Sequence, residues 1–247
     1  MARSAGSPPE APGAPGRPRR GDAVSVRLLL VRHGRVDFTS RQFMDSPRGR
    51  QWDPPLGDVG RDQADRLAVR LQLMDPPAGI YVSPFARCQQ TLEPTLRALT
   101  LDEAKAEVVE DLGEVFVGEW EGVGFEELLA KEDVARRVRE QEPVYELAPG
   151  AETKAQLQSR VVGAIDERLT RHDDGVVLVV AHGGVINAYL GHILRIEPAM
   201  FFIPENTSIN TVEVDGERRS IRFLNDTAHL VDPPLFVPPI GVDDAAE

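Results

Sequence analysis

Cysteine is nearly absent from this 247-residue chain, and the single thiol, Cys88, excludes an internal disulfide and any cysteine-rich metal site. A lone thiol fits a reducing compartment, so a cytoplasmic setting is expected. Long apolar runs are missing as well. No stretch approaches the roughly 20 apolar residues that a membrane-crossing helix needs, and no membrane span is expected. Positive charge is in deficit: 28 Lys and Arg stand against 40 Asp and Glu, for a net charge of -12. That balance disfavours nonspecific nucleic-acid binding, so no nucleic-acid partner is expected. The five histidines form no zinc signature. A P-loop lysine motif and a dinucleotide fingerprint are also missing, which leaves nucleotide-cofactor binding unsupported.

What is present suits one α/β domain. The hydrophobic fraction of 41% and the charged fraction of 28% are ordinary for a globular chain. Residues 1–22 are rich in Pro, Gly, Ala and Arg, lack the apolar stretch of a secretory signal, and read as a disordered basic extension. Residues 231–247 read as a Pro-rich acidic tail, which leaves residues 23–230 as the domain. Within it, residues 26–31, 79–83 and 176–181 are nearly continuous apolar runs, the pattern of strands covered on both faces. Residues 106–112 form a weaker strand suited to a place nearer the edge. Residues 209–214 and 219–224 flank Asp215-Gly216, a hairpin signal. Helical spacing recurs at Ala64, Leu67, Ala68 and Leu71, and again at Leu157, Val161, Ala164 and Ile165. Ser83-Pro84 should open another helix, with serine as N-cap and proline in the first position, and Pro94 should kink or end it. Residues 125–141 read as a charged helical insertion, broken by Pro143 and Pro149-Gly150. The alternation predicts an α/β three-layer sandwich, with a mainly parallel central sheet and helices on both faces.

The chemistry concentrates where two of these strands end. Arg32-His33-Gly34 closes the first run, and His182-Gly183-Gly184 closes another nearly 150 residues later. In an open α/β sheet the carboxyl ends of the strands are where ligands bind. Two imidazoles arriving there, one preceded by an arginine, point to an anionic substrate, with a phosphate ester foremost. A neutral imidazole can attack phosphorus and split hydrolysis into two displacements through a phosphohistidine. A backbone acceptor on its other nitrogen would fix the tautomer. Gly34 leaves room for the backbone to turn close to a ligand, and Arg32 offers planar bidentate donors to phosphoryl oxygens. Arg87, early in a helix, could add a second guanidinium, and His182 could donate to the equatorial oxygens in the transition state. Glu114, following a strand, is the carboxylate best placed to protonate a leaving alkoxide and later to accept a proton from water. Alone, each also has a plain reading: Arg87 as a solvated helix arginine, Glu114 as one of forty surface acids, the histidines as satisfied strand-end residues.

The order of the pieces removes that ambiguity. Leu30-Val31-Arg32-His33-Gly34 is followed by Leu56-x3-Gly60-x2-Gln63-Ala64, Ser83-Pro84-x2-Arg87-x2-Gln90-Thr91, Glu114-x3-Gly118-x-Trp120-x-Gly122, residues 149–153 (Pro-Gly-Ala-Glu-Thr) and His182-Gly183-Gly184-Val185-Ile186. Across residues 26–226 this series resembles the histidine phosphatase superfamily, and within it the phosphoglycerate-mutase-like branch. The resemblance implies His33 as nucleophile, a phosphate pocket of Arg32, Arg87 and His182 with Gly183 beside them, Glu114 as proton donor, and no metal. The family often places a threonine and an asparagine where this chain has Val36 and Thr39, so a Thr39 or Ser40 hydroxyl is the expected substitute ligand. The implied activity is metal-independent hydrolysis of a phosphorylated small molecule. Mutase-type phosphoryl transfer ranks second, because mutases usually carry a tyrosine where this chain has Val117; a non-catalytic phospho-ligand binding module ranks third. A homodimer is compatible with all three. The arginine-rich loop 35–52 (Arg35, Arg41, Arg48, Arg50) and the 123–151 insertion are expected to shape what lies above the phosphate.

Overall fold

Strand β1 (Val26–Arg32) is buried along almost its whole length, because a strand at the middle of a sheet has both faces covered. The structure, a computed structural model, describes residues 25–140, 142, 144–197 and 200–231. The expected extension at 1–22, all but the first residue of the expected tail, and Gln141 and Pro143 lie outside the described residues. In chain order β1 is followed by β2 (Phe43–Ser46), β3 (Gly49–Trp52), α1 (Asp58–Gln72), β4 (Pro77–Val82), α2 (Ala86–Ala98), β5 (Ala106–Val108), α3 (Phe125–Leu129), α4 (Glu132–Glu140), α5 (Lys154–Leu169), β6 (Gly175–Ala181), α6 (Gly183–Leu194), β7 (Ile209–Asp215) and β8 (Arg218–Asp226). The main sheet has the order β5-β4-β6-β1-β7-β8. Its first four strands are parallel, and the β7–β8 hairpin joins β1 antiparallel.

Alternation along the central strands divides the core in two. Leu28 and Leu30 of β1, with Val177, Val179 and Ala181 of β6, pack against Leu157, Val161 and Ile165 of α5 and Val185, Ile186 and Tyr189 of α6. Leu29 and Val31, with Val176, Leu178 and Val180, face Leu67 and Leu71 of α1 and Cys88, Leu92 and Leu96 of α2. Each such aliphatic side chain contributes about 1.5–3 kcal/mol on burial. The expected three-layer α/β sandwich is therefore the observed architecture.

Several local expectations are corrected. Helix α2 begins at Ala86 behind Phe85, with no side-chain cap; the Ser83 hydroxyl lies 2.7 Å from Nε2 of His182 and accepts from the Phe85 amide at 3.4 Å, ahead of the helix. The same helix does not end at Pro94, one of the two outcomes expected there, but runs on to Ala98 with Leu92, Thr95 and Leu96 buried on either side of the missing N–H. The expected strand at 106–112 is three residues of edge strand followed by a 3-10 turn at Glu110–Leu112. The charged insertion forms two helices, α3 and α4, rather than one. Loop 35–52 contains the β2–β3 hairpin. Helix α5 starts with a capping box: Thr153 accepts from the Gln156 amide while the Gln156 side chain accepts from the Thr153 amide.

Candidate active site

Register delivers the two imidazoles. Strands β1 and β6 pair with Arg32 opposite Ala181, so His33 and His182 each stand one residue beyond the paired ends. The His33 amide extends the ladder to the Ala181 carbonyl at 3.0 Å. The rings consequently lie edge to face, with centroids 5.2 Å apart. Next along the sheet, Ser83 leaves β4 with its amide bonded to the Val180 carbonyl at 3.0 Å. The chain beyond β5 continues to Glu114. Four parallel strands thus deliver every expected catalytic group to one edge of the sheet.

His33 is buried, and its Nδ1 lies 2.8 Å from the Gly34 carbonyl. A carbonyl can only accept, so Nδ1 carries the proton and Nε2 keeps a free lone pair. Burial, reinforced by the Arg87 and Arg32 charges, holds the His33 pKa well below the ordinary imidazole range. His182 is depressed in the same way, by burial first and then by Arg87 and its neighbours. Both rings are neutral at pH 7.

The guanidiniums are anchored from behind. Arg87 Nη1 donates to Oδ1 of Asp53 and to the Trp52 carbonyl, each at 3.2 Å, while Asp53 Oδ2 accepts from the Ala86 amide at 3.0 Å. Arg87 also lies over the Phe85 ring at 4.3 Å, and Phe85 in turn meets His182 at 4.8 Å. Arg32 Nη1 donates to the Pro204 carbonyl, whereas its buried Nε has no partner among the described residues. Thr91 joins the two arginine-bearing segments: its hydroxyl accepts from the Gly34 amide at 2.9 Å and donates to the Arg87 carbonyl at 2.7 Å.

Glu114 meets the start of α6. Its carboxylate accepts from the Val115 amide at 2.9 Å and the Gly184 amide at 3.3 Å. A Cβ on Gly184 would fall 2.4 Å from Glu114 Oε1, so glycine here makes room for the carboxylate. Gly183 stands where the sequence put it, with Arg32 Nε 3.8 Å from where its Cβ would be.

Thr39 is the exception. It is exposed, and both its amide and its hydroxyl serve Oδ1 of Asp37, at 2.9 and 2.7 Å. The hydroxyl is committed to a local turn, so the structure does not bring Thr39 into the cluster. Cys88 is a buried thiol 3.5 Å from His182 Nε2, with burial pushing its pKa up. His172 stands apart, half-buried, its Nε2 2.8 Å from the Tyr81 hydroxyl. Asp53, Glu152 and Arg160 were not anticipated as site residues. Asp53 carries no sequence signal, whereas the Thr-x-x-Gln cap after Glu152 marks the helix on which Arg160 sits. Two surface depressions, of about 670 and 700 Å³, contain none of the five expected catalytic side chains; the second borders Arg48, Phe116, Glu152 and Arg160.

The family model described as "Histidine phosphatase superfamily (branch 1)" matches residues 28–227. Phosphoserine phosphatase 1 of Hydrogenobacter thermophilus is 33% identical over 215 residues, covering 83% of this chain and 94% of the relative. The metal-independent phosphoserine phosphatase of Arabidopsis thaliana is 28% identical over 206 residues, covering 83% of each. Among solved structures, Bacillus stearothermophilus YhfR superposes with a TM-score of 0.71 at 26% identity, covering 83% of this chain and all of that one. With two strand-end imidazoles on a mainly parallel six-stranded sheet, and a family match spanning nearly all of the described residues, this chain belongs to branch 1 of the histidine phosphatase superfamily.

Proposed function

We propose that His33, Glu114, Arg32, Arg87 and His182 carry out this enzyme's phosphate monoester hydrolysis. The Nε2 lone pair of His33 attacks phosphorus. As the N–P bond forms, the P–O bond to the leaving group breaks, and the leaving oxygen takes a proton from Glu114. Water then adds to phosphorus and gives its proton to the Glu114 carboxylate. The N–P bond breaks, releasing inorganic phosphate and restoring neutral His33. Arg32 and Arg87 hold the equatorial oxygens as fixed cations. The Ser83 hydroxyl and Nε2 of His182 lie 2.7 Å apart; in the tautomer that puts the ring proton on Nδ1, Ser83 donates and that proton is the one for substrate.

One observation carries the reading: a buried, neutral His33 whose Nδ1 is tied to the Gly34 carbonyl, beside a second neutral imidazole and within the field of two guanidiniums. The substrate is a phosphorylated small molecule, and phosphoserine is tested first because the 33% identical relative bears that activity in its name. A cytoplasmic setting is supported by a lone thiol that is buried. The test is phosphate release from phosphoserine, 3-phosphoglycerate and a wider metabolite panel, with chelator present. His33→Ala should release none, and the wild type should yield a phosphohistidine on rapid quench. Undiminished turnover by His33→Ala would overturn the assignment, and 2-phosphoglycerate accumulating from 3-phosphoglycerate without free phosphate would reverse the choice of hydrolase over mutase.

A further inference from the structure

The Pro149-Gly150-Ala151-Glu152-Thr153 motif has no part in the chemistry above, yet it meets the segment that carries the proton donor. Glu152 is buried and forms a two-pronged pair with Arg160, Oε1 to Nε at 2.6 Å and Oε2 to Nη2 at 2.8 Å. The remaining Arg160 donors go to main-chain carbonyls of a single strap: Nη1 to Asp111 at 2.6 Å and Gly113 at 2.9 Å, Nη2 to Glu114 itself at 3.2 Å. Glu152 grips the same strap from the other side. Its amide donates to the Phe116 carbonyl at 2.9 Å, and its Oε2 accepts from the Phe116 amide at 3.3 Å. Gln51 adds a bond to the Glu114 carbonyl at 3.3 Å. The two charged side chains are only 11% and 6% exposed.

We propose that Arg160, held in its plane by Glu152, is a positioning residue that aims the Glu114 carboxylate, a role that rests on Glu114 being the proton donor. Carbonyls at 111, 113 and 114 have no regular ladder to fix them, because β5 ends at Val108 and a 3-10 turn follows. The guanidinium bonds all three while holding both oxygens of Glu152; a lysine, with three donors and no planar fork, cannot make all five bonds. With the strap fixed, the Glu114 carboxylate stays on the Val115 and Gly184 amides.

The experiment compares kcat/KM for an alkyl phosphate, whose leaving oxygen needs a proton, with that for p-nitrophenyl phosphate, whose leaving phenolate does not. Folding is checked by thermal denaturation, and Glu152→Gln serves where Arg160→Lys does not fold. Loss of an aimed general acid predicts a fall of about tenfold or more on the alkyl ester and less than about threefold on the aryl ester. Glu114→Gln is the reference and should show the same selectivity more strongly. Equal losses on both esters, or none, in the folded variant would overturn the positioning role while the Glu114→Gln selectivity stands. Uniform loss in Glu114→Gln would instead overturn the donor assignment, and the positioning role with it.

Discussion

Adding one methyl group at Gly184 should separate catalysis from stability. The new Cβ would lie 2.4 Å from Oε1 and 3.3 Å from Cδ of Glu114. The atom it meets is the far end of a flexible side chain, so the carboxylate gives way and the helix does not. Restoring ordinary contact requires Oε1 to retreat by about 1 Å, which breaks its bond to the Val115 amide and disturbs the one to Gly184. A displacement of that size at a proton donor costs on the order of a hundredfold in rate. Stability moves little. Losing a hydrogen bond costs about 1 kcal/mol, while alanine in place of glycine within a helix returns about 0.5–1 kcal/mol. Gly184→Ala should therefore keep its Tm within a few degrees and lose most of its kcat/KM on an alkyl phosphate. Wild-type kcat/KM would refute the placement of Glu114 against α6, and a large fall in Tm would show that backbone packing, rather than the carboxylate, occupies the space.

Three further outcomes follow from the same geometry. Asp53→Asn removes the charge behind Arg87, a pair whose side chains are 10% and 8% exposed, and should raise KM roughly tenfold, since a bond to a charged group contributes about 1.5–3 kcal/mol. An unchanged KM and unchanged inhibition by inorganic phosphate would sink that role. His229 is 1% exposed, with Nε2 3.1 Å from Thr207 Oγ1, and burial pushes its pKa down to about 4, against the raising effect of Asp226 and with a smaller lowering by Arg70 and Arg66. The unfolded chain takes up that proton near pH 6.5, so the contribution is complete above 6.5 and is lost as pH falls toward 4, on the order of 2–3 kcal/mol. Urea titrations of wild type and His229→Gln across that window should differ in slope, and identical slopes would remove His229 from the account. His33 and His182 have depressed pKa values too, so His229→Gln should keep part of the wild type's pH dependence in the same titrations.

The legible parts of the sequence were those where one physical cause acts alone. A strand covered on both faces must be apolar throughout, so β1 and β6 were visible as runs, and the residues that end them were marked as the ligand-facing edge. Local signals do not decide where a side chain has two possible uses. Ser83 reads as a helix cap from local chemistry, but the helix starts at Ala86, and the hydroxyl meets His182, 99 residues away. Thr39 reads as a phosphate ligand by position in a motif, but Asp37 two residues back holds it.

By itself, then, the chain's pattern of apolar runs and ordered motifs determined an α/β sandwich, the family, and which imidazoles, guanidiniums and carboxylate to consider. Only the folded sheet decided how they stand to one another. Pairing Arg32 opposite Ala181 set the two rings 5.2 Å apart. Asp53 and Arg160 acquired their roles because the chain just after β3 reaches Arg87 and helix α5 reaches the strap at 111–114. Hydrogen bonds between residues tens of positions apart follow from packing, and local composition carries no record of them.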